Sequence, residues 1–552
     1  MPTIVLSNFN LVCTLLGGFI IVFGLVSHLV RERAYISEAL PSLLFGVLFK
    51  AAGLFRPDGY GATKEEITRE FTRLVLGIQL VLAGVQLPAK YLQLEWKSLF
   101  MLLVPVMSTM WIASALIIYL CIPNLRFLDA LIIGACVTPT DPVLSNSIVK
   151  GRFAEKYIAE PLRNIISAES GANDGFGYPF LFLGLFILRD TGPTIAKDWI
   201  LETILYEIAL SVIYGAVVGY VAMRTLHFVK ERSIPHFLLC CTSWNAPEAV
   251  PTKILNLIDD ESFAVFVFAL ALFIVGTAGM VGTDDLLACF VAGNMLTWEY
   301  VLWIDWFRVE TIEDSLPSSL DLILNVAMFT WFGIVTPWEE FNTHEIPVWR
   351  YIVMGLAILA FRRLPAVLLM YKAIPTIATF REAIFAGYFG PIGVGAIFYL
   401  LVLLETLATY TQTERVLYIA QTAPPVIYFL MVTSVVAHGV SIPAIVVGPK
   451  LPRTLSRSLT QFGTLSVRKF STFSTAVSVE HDPVARIARR NVVAGPSNAG
   501  GSSDGDELED IVVVDVLNYG TTKGKAGPNG PTGPTGAVNG HSQVDIGQEI
   551  QF

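Results

Sequence analysis

"CVTPTDPVLS" (Cys136–Ser145) sets a carboxylate, Asp141, between Pro139 and Pro142, with apolar flanks that would otherwise run on as one helix. Proline removes a backbone donor and clashes with the preceding turn, so helical bonding should fail around Thr138–Asp141. What that break means depends on the solvent around it, and composition supplies the solvent. Hydrophobic residues make up 54% of the 552 and charged residues 15%, against about 25% charged in a soluble domain. Mean hydropathy is +0.61. The apolar residues come in runs of about twenty, the length that crosses a hydrocarbon core of about 30 Å. The first, "LVCTLLGGFIIVFGLVSHLV" (Leu11–Val30), is longer than a signal-peptide core and has no basic region ahead of it. It reads as a retained span.

Working outward, the pattern predicts an all-α polytopic membrane protein of about thirteen spans. These lie near residues 10–30, 36–55, 66–87, 97–120, 129–149, 161–188, 201–228, 255–280, 284–300, 319–336, 347–373, 381–405 and 421–446. The third is amphipathic and is expected to face protein or water rather than lipid. Residues 1–450 form the membrane domain. Residues 451–552 hold "GPSNAGGSSDGDELED" and "GKAGPNGPTGPTG", a composition that buries no core and reads as a disordered tail. Lys and Arg in the short loops place the tail in the cytoplasm and the N-terminus outside. The six cysteines are scattered and read as small buried hydrophobes. A net charge of −9 with a pI near 5.4 argues against a nucleic-acid partner.

An ionisable group inside a span costs at least about 2.5 kcal/mol and marks function by default. Three places carry such groups: Asp141 in span five, "NIISAESGANDGFGYPF" (Asn164–Phe180) in span six, and Arg362 with Arg363 in span eleven. A helix from Pro161 puts Asp174 about 20 Å along its axis, near the bilayer middle. Ser170 and Asp174 then share one face, with Glu169 and Asn173 beside it. This is an oxygen-rich, proton-binding surface suited to hard cations rather than organic substrates. Freed carbonyls at Thr138 and Thr140 are placed to join Asp141 around a cation, since broken backbone in a membrane is tolerated where it lines a cavity. Span twelve is interrupted likewise, at Gly390, Pro391, Gly393 and Gly395. Paired interruptions in two halves point to an inverted-repeat transporter site, with tight helix packing as the alternative for the glycines. At least one arginine must meet an acid, and Glu169 is the natural partner. Protons and cations then compete for the oxygens of Asp141 and Asp174. Asp284 and Asp285, after a tight loop, read as helix-capping residues or as an accessory that attracts external cations. His438 reads as a satisfied structural histidine in preference to a pH sensor.

"TPTDPV" (Thr138–Val143), "ESGANDG" (Glu169–Gly175), "RRLP" (Arg362–Pro365) and "YFGPIGVGAIFY" (Tyr388–Tyr399) recur as a known set. With "GTDDLLACFVAGN" (Gly282–Asn294) and "HGVSIP" (His438–Pro443), the chain over residues 5–450 resembles the fungal plasma-membrane Na⁺/H⁺ antiporters of the monovalent cation:proton antiporter superfamily. The resemblance implies a thirteen-helix fold of two inverted repeats with crossed broken helices, dimerisation and core subdomains, and elevator-type alternating access. It implies Asp174 as the cation and proton carrier, with Asp141, Ser170 and the Thr140 carbonyl completing the site. Asn173 and Thr138 would orient the site, and Glu169 would pair with Arg362 rather than Arg363. The tail is shorter than in the longest members, a departure that bears on tail-based regulation.

The expected activity is therefore exchange of internal Na⁺ or Li⁺, with K⁺ as a further candidate, for external H⁺. The expected partners are the ions, lipid and a second copy of the chain, with no cofactor. A K⁺-preferring exchanger is the nearest competitor. A cation channel would want a continuous pore. An intramembrane aspartyl hydrolase would use Asp141 and Asp174 as a dyad, but the second sits in an Asn-Asp pair beside a glutamate, so the chain is not read as an enzyme.

Overall fold

The helices form where the apolar runs are unbroken and stop where proline and glycine fall. The computed structural model describes residues 8–28, 37–53, 63–149, 154, 157–190, 192–232, 260–298, 315–343 and 346–447. All lie within the first of two compact units, Met1–Val484. The expected tail, 451–552, lies outside the described residues. Among the described residues the structure is helical and contains no strand.

The first helices are α1 (Asn8–His28), α2 (Ala39–Ala51) and α3 (Lys64–Gln86). Next is α4 (Trp96–Cys121), which widens to a π-type turn around Pro105. Span five is split into α5 (Phe127–Cys136) and α6 (Pro142–Val149), as the two prolines require. Span six is also split, into α7 (Glu160–Asn173) and α8 (Tyr178–Arg189). This corrects the expectation of one continuous helix through Asp174. The reason is local: "GFGYP" (Gly175–Pro179) carries two glycines, and Pro179 opens the first turn of α8, the position where proline is tolerated.

After α9 (Thr194–Phe228) come α10 (Asp260–Val281), α11 (Asp285–Leu296) and α12 (Ser315–Val335). Span eleven breaks at its arginines into α13 (Val348–Phe361) and α14 (Leu364–Met370), with Pro365 in the first turn of α14. Span twelve is split into α15 (Phe380–Tyr388) and α16 (Val394–Thr409). The last helix is α17 (Glu414–Val447). Among the described residues, α4, α9, Val348–Ala373 and Glu414–Ser441 are long and apolar enough to cross a membrane by length and composition.

Helix α3 is the axis of the fold. A Thr63–Glu66 capping box starts it, and every residue from Val75 to Val85 is buried, so the amphipathic span does face protein. It packs against α7, α11, α12 and α16. Glycines let it approach α11: a Cβ on Gly84 would lie 2.5 Å from the Phe290 carbonyl oxygen, the small-residue packing that membrane helices favour. The outer surface is the reverse of a soluble protein's. Leu25 is 81% exposed, Met280 82% and Leu369 79%, apolar side chains that lipid or a partner surface would cover. Cys136 and Cys289 are buried as expected, whereas Cys13 is exposed on α1, a small residue on an apolar outer face.

Candidate functional site at the crossed helix breaks

The two breaks meet. The Asp141 N–H donates to the Pro391 carbonyl at 2.9 Å. In return, Asp141 Oδ1 accepts from the Val394 N–H at 2.6 Å, and its Oδ2 from the Leu144 N–H at 2.8 Å. Helices begin with unpaired N–H groups and a positive dipole end. One buried carboxylate thus caps two helices, α6 and α16. The glycine run in span twelve is largely explained by what it must clear. A Cβ on Gly393 would collide with the Asp141 carboxylate, one on Gly395 with Asp174 Oδ1, and one on Gly390 with the Arg363 side chain. Helix packing accounts for Gly387, whose Cβ would meet Leu364.

The opposite ends, the carbonyl ends of α5 and α15, are met by Arg362. Its guanidinium donates to Val137 O at 2.5 Å, Thr138 O at 3.1 Å and Pro139 O at 3.4 Å, and also to Gly390 O. Arg363 instead holds Glu169 through two parallel bonds, Nη1–Oε1 at 2.5 Å and Nη2–Oε2 at 2.7 Å, and its Nε donates to Ala386 O at 2.8 Å. The expected Glu169–Arg362 pair is therefore corrected: Arg363 carries it. Consecutive residues point about 100° apart at 3.6 residues per turn. At the kink between α13 and α14 that rotation turns Arg362 to the crossing and Arg363 to α7. A second correction follows. The Thr138 carbonyl is engaged by Arg362 rather than left free for a cation, and its hydroxyl donates to Gly134 O at 2.7 Å.

Asp174 lies at the end of α7, fully buried. Neither of its carboxylate oxygens has a hydrogen-bond partner. A buried, unpartnered carboxylate is among the costliest groups a protein can hold, and this one sits beside the cleared space at Gly395. Around it is a connected polar shell. Asn173 Nδ2 donates to Thr140 Oγ1 at 2.7 Å, and Asn173 Oδ1 accepts from the Thr140 N–H at 3.3 Å. The Thr140 and Ser170 hydroxyls are 3.2 Å apart, and Ser170 Oγ donates to Ser145 Oγ at 3.0 Å. The structure thus joins Thr140, Ser170 and Asn173 into one network beside Asp141 and Asp174.

Asp284 does cap α11, its Oδ1 accepting from the Leu286 and Leu287 N–H groups at 3.0 and 3.1 Å. Its Oδ2 is buried without a partner and lies where a Cβ on Gly175 would fall within 2.6 Å, so it borders the same break as Asp174. Asp285 is neutralised by Arg73 at 2.6 Å. His438 is buried, with Nδ1 2.9 Å from Ser434 O and Nε2 3.2 Å from Tyr388 O. Ser434 Oγ accepts from the Ile392 N–H at 2.7 Å, so α17 ties down the second break.

Two residues escaped the sequence reading. Ser145 was legible, lying four residues after Asp141 on a helix and so on the same face. Tyr399, whose hydroxyl donates to the Asp174 carbonyl, gave one signal: it falls four residues after Gly395.

Residues 17–448 match the family described as "Sodium/hydrogen exchanger, transmembrane". The chain is 37% identical over 473 residues to a probable Na⁺/H⁺ antiporter of Schizosaccharomyces pombe, covering 83% of this chain and 58% of that one. It is 37% identical over 450 residues to Na⁺/H⁺ antiporter 2 of Zygosaccharomyces rouxii, covering 78% and 52%. The chain thus spans about half the length of these relatives. A second S. pombe protein, named Na⁺/H⁺ antiporter, is 32% identical over 83% of this chain and 94% of its own length. The solved structure of the sodium proton antiporter MjNhaP1 from Methanocaldococcus jannaschii at pH 8 superposes with a TM-score of 0.56 at 17% identity, covering 78% of this chain and 100% of that one. That likeness concerns the fold.

Proposed function

The chain belongs to the sodium/hydrogen exchanger family, and from that premise we propose that it is a secondary active antiporter. It exchanges internal Na⁺ or Li⁺, with K⁺ as a further candidate, for external H⁺ across the plasma membrane. The observation that carries the reading is Asp174: buried, with both carboxylate oxygens unpartnered, at a helix break cleared by Gly395. The other charges of the crossing are matched. Asp141 answers two helix N-termini, Arg362 answers the carbonyl ends, and Arg363 and Glu169 answer each other. Asp174 is left to be neutralised from outside the protein, by a cation or by a proton. Asp141, Ser170 and the Thr140 carbonyl offer the further oxygens a hard cation needs.

Coupling follows from the same imbalance. A loaded site, carrying either ligand, is neutral at Asp174, whereas an empty one exposes a bare carboxylate to a low-dielectric path. Loaded carriers therefore cross and empty ones do not, which is exchange. The movement is of elevator type, with the unit that holds the crossed breaks sliding against α3 and α11, and the working form is a homodimer. Asp284, bordering the break, serves as an accessory station for the cation, whereas Asp285 is held as a structural ion pair.

Reconstitution in proteoliposomes tests this, with Na⁺, Li⁺ and K⁺ compared with and without a membrane potential. Na⁺ and Li⁺ gradients are expected to drive opposing proton movement. Because the ligand oxygens must be deprotonated to bind, the apparent KM for Na⁺ should fall as pH on the loading side rises, approaching about tenfold per unit where protons dominate. Movement of Na⁺ without protons would overturn the antiport reading. A K⁺ response exceeding that of Na⁺ would reassign the cargo.

A further inference from the structure

We propose that Tyr399 is a positioning residue for the ion site, acting on Asp174 through the backbone rather than touching the cargo. This rests on the reading of Asp174 as the carrier. The Tyr399 hydroxyl donates to the Asp174 carbonyl and lies 3.3 Å from the Gly175 carbonyl. Those are the first carbonyls past the end of α7. The Gly175 carbonyl also accepts from the Tyr178 N–H at 3.5 Å, whereas the Asp174 carbonyl is met by the Tyr399 hydroxyl where the helix no longer supplies its usual donors. In lipid no water replaces such a donor, so the hydroxyl is what fixes the peptide that bears Asp174.

The placement is built from both sides. Tyr399 is fully buried. Its ring lies against Gly177, where a Cβ would come within 2.5 Å of Cζ and 2.7 Å of the hydroxyl oxygen. Tyr178 packs edge-on against it at 5.4 Å between ring centroids. Gly177 is therefore small because Tyr399 fills its side-chain space. One turn earlier on α16, Gly395 clears the Asp174 carboxylate, and Val394 donates to Asp141. The first turns of α16 thus handle Asp174 twice: a gap for its carboxylate at 395, and a clamp for its carbonyl at 399. Releasing the clamp leaves the groups of the site in place but lets the Asp174–Gly175 peptide rotate. A site whose parts must be ordered on binding pays in affinity what a preorganised one does not.

The test measures Na⁺/H⁺ exchange by reconstituted Tyr399→Phe, with Tyr178→Phe and Asp174→Asn alongside. Tyr399→Phe should raise the apparent KM for Na⁺ roughly two- to tenfold, the worth of one hydrogen bond, with Vmax held within about twofold and the pH profile displaced because proton and cation share the site. Tyr178→Phe keeps the ring packing and should leave KM unchanged. Gly177→Ala, which pushes the Tyr399 ring off the same carbonyls, should shift KM in the same direction, and it serves if Tyr399→Phe is not recovered folded. An unchanged KM and pH profile in Tyr399→Phe and Gly177→Ala, with Asp174→Asn inactive, would overturn the positioning role while leaving the carrier intact. A fall in Vmax alone would also overturn it, marking Tyr399 as packing. Retained exchange by Asp174→Asn would instead remove the reading on which the inference rests.

Discussion

Two neighbouring arginines divide the labour of the crossing. Arg363 and Glu169 form a buried, two-bond ion pair with side-chain exposures of 4% and 3%, while Arg362 satisfies backbone carbonyls. Removing one partner of a buried pair strands the other's charge, at a cost of about 3–5 kcal/mol. Removing both is far milder. Arg363→Ala and Glu169→Ala should therefore each lower the melting temperature of the detergent-purified protein sharply, and the double variant should recover much of the loss. Strictly additive losses would show that the pair is not coupled. Lysine at 362 is no substitute, since a compact ammonium has no planar fork to span carbonyls on two strands of backbone.

At the scale of the helix, the breaks in spans five and twelve were legible and their mutual contacts were not. Pro139 and Pro142 announce that span five fails, and Gly390–Gly395 that span twelve does, because proline and glycine act through the backbone of their own segment. The break after Asn173 was missed because its two glycines sit inside an apolar run that a helix also tolerates. The Arg362 and Arg363 assignment turned on a kink two residues wide, which spacing alone does not resolve. That Asp141 caps α16 as well as α6 depends on a contact spanning 253 residues, invisible to any local pattern. Gly395 offers the sharpest test at this scale. An added methyl would run into Asp174 Oδ1, and overpacking costs about 1–3 kcal/mol. Gly395→Ala should fold yet lose exchange by more than about tenfold, whereas Gly276→Ala, with open space around it, should transport normally. Equal activity in the two variants would show that the space at Gly395 is not needed.

Across the whole molecule, composition dictated the solvent, periodicity the helices, and the misplaced charges the site. The described helices put polar chemistry at crossed breaks inside the bundle and apolar side chains outside. Of the five charged residues at the crossing, Asp141, Glu169, Asp174, Arg362 and Arg363, Asp174 alone has a side chain with no protein partner. That asymmetry is the central claim, because it makes one carboxylate the place where cation and proton exclude one another. Asp174→Asn keeps the shape and removes the charge. The most direct measurement is Na⁺-driven proton movement in proteoliposomes holding equal amounts of wild-type and Asp174→Asn protein. The wild-type protein should dissipate an imposed pH gradient on addition of Na⁺, and the variant should leave it standing. Dissipation by the variant at the wild-type rate would contradict the account.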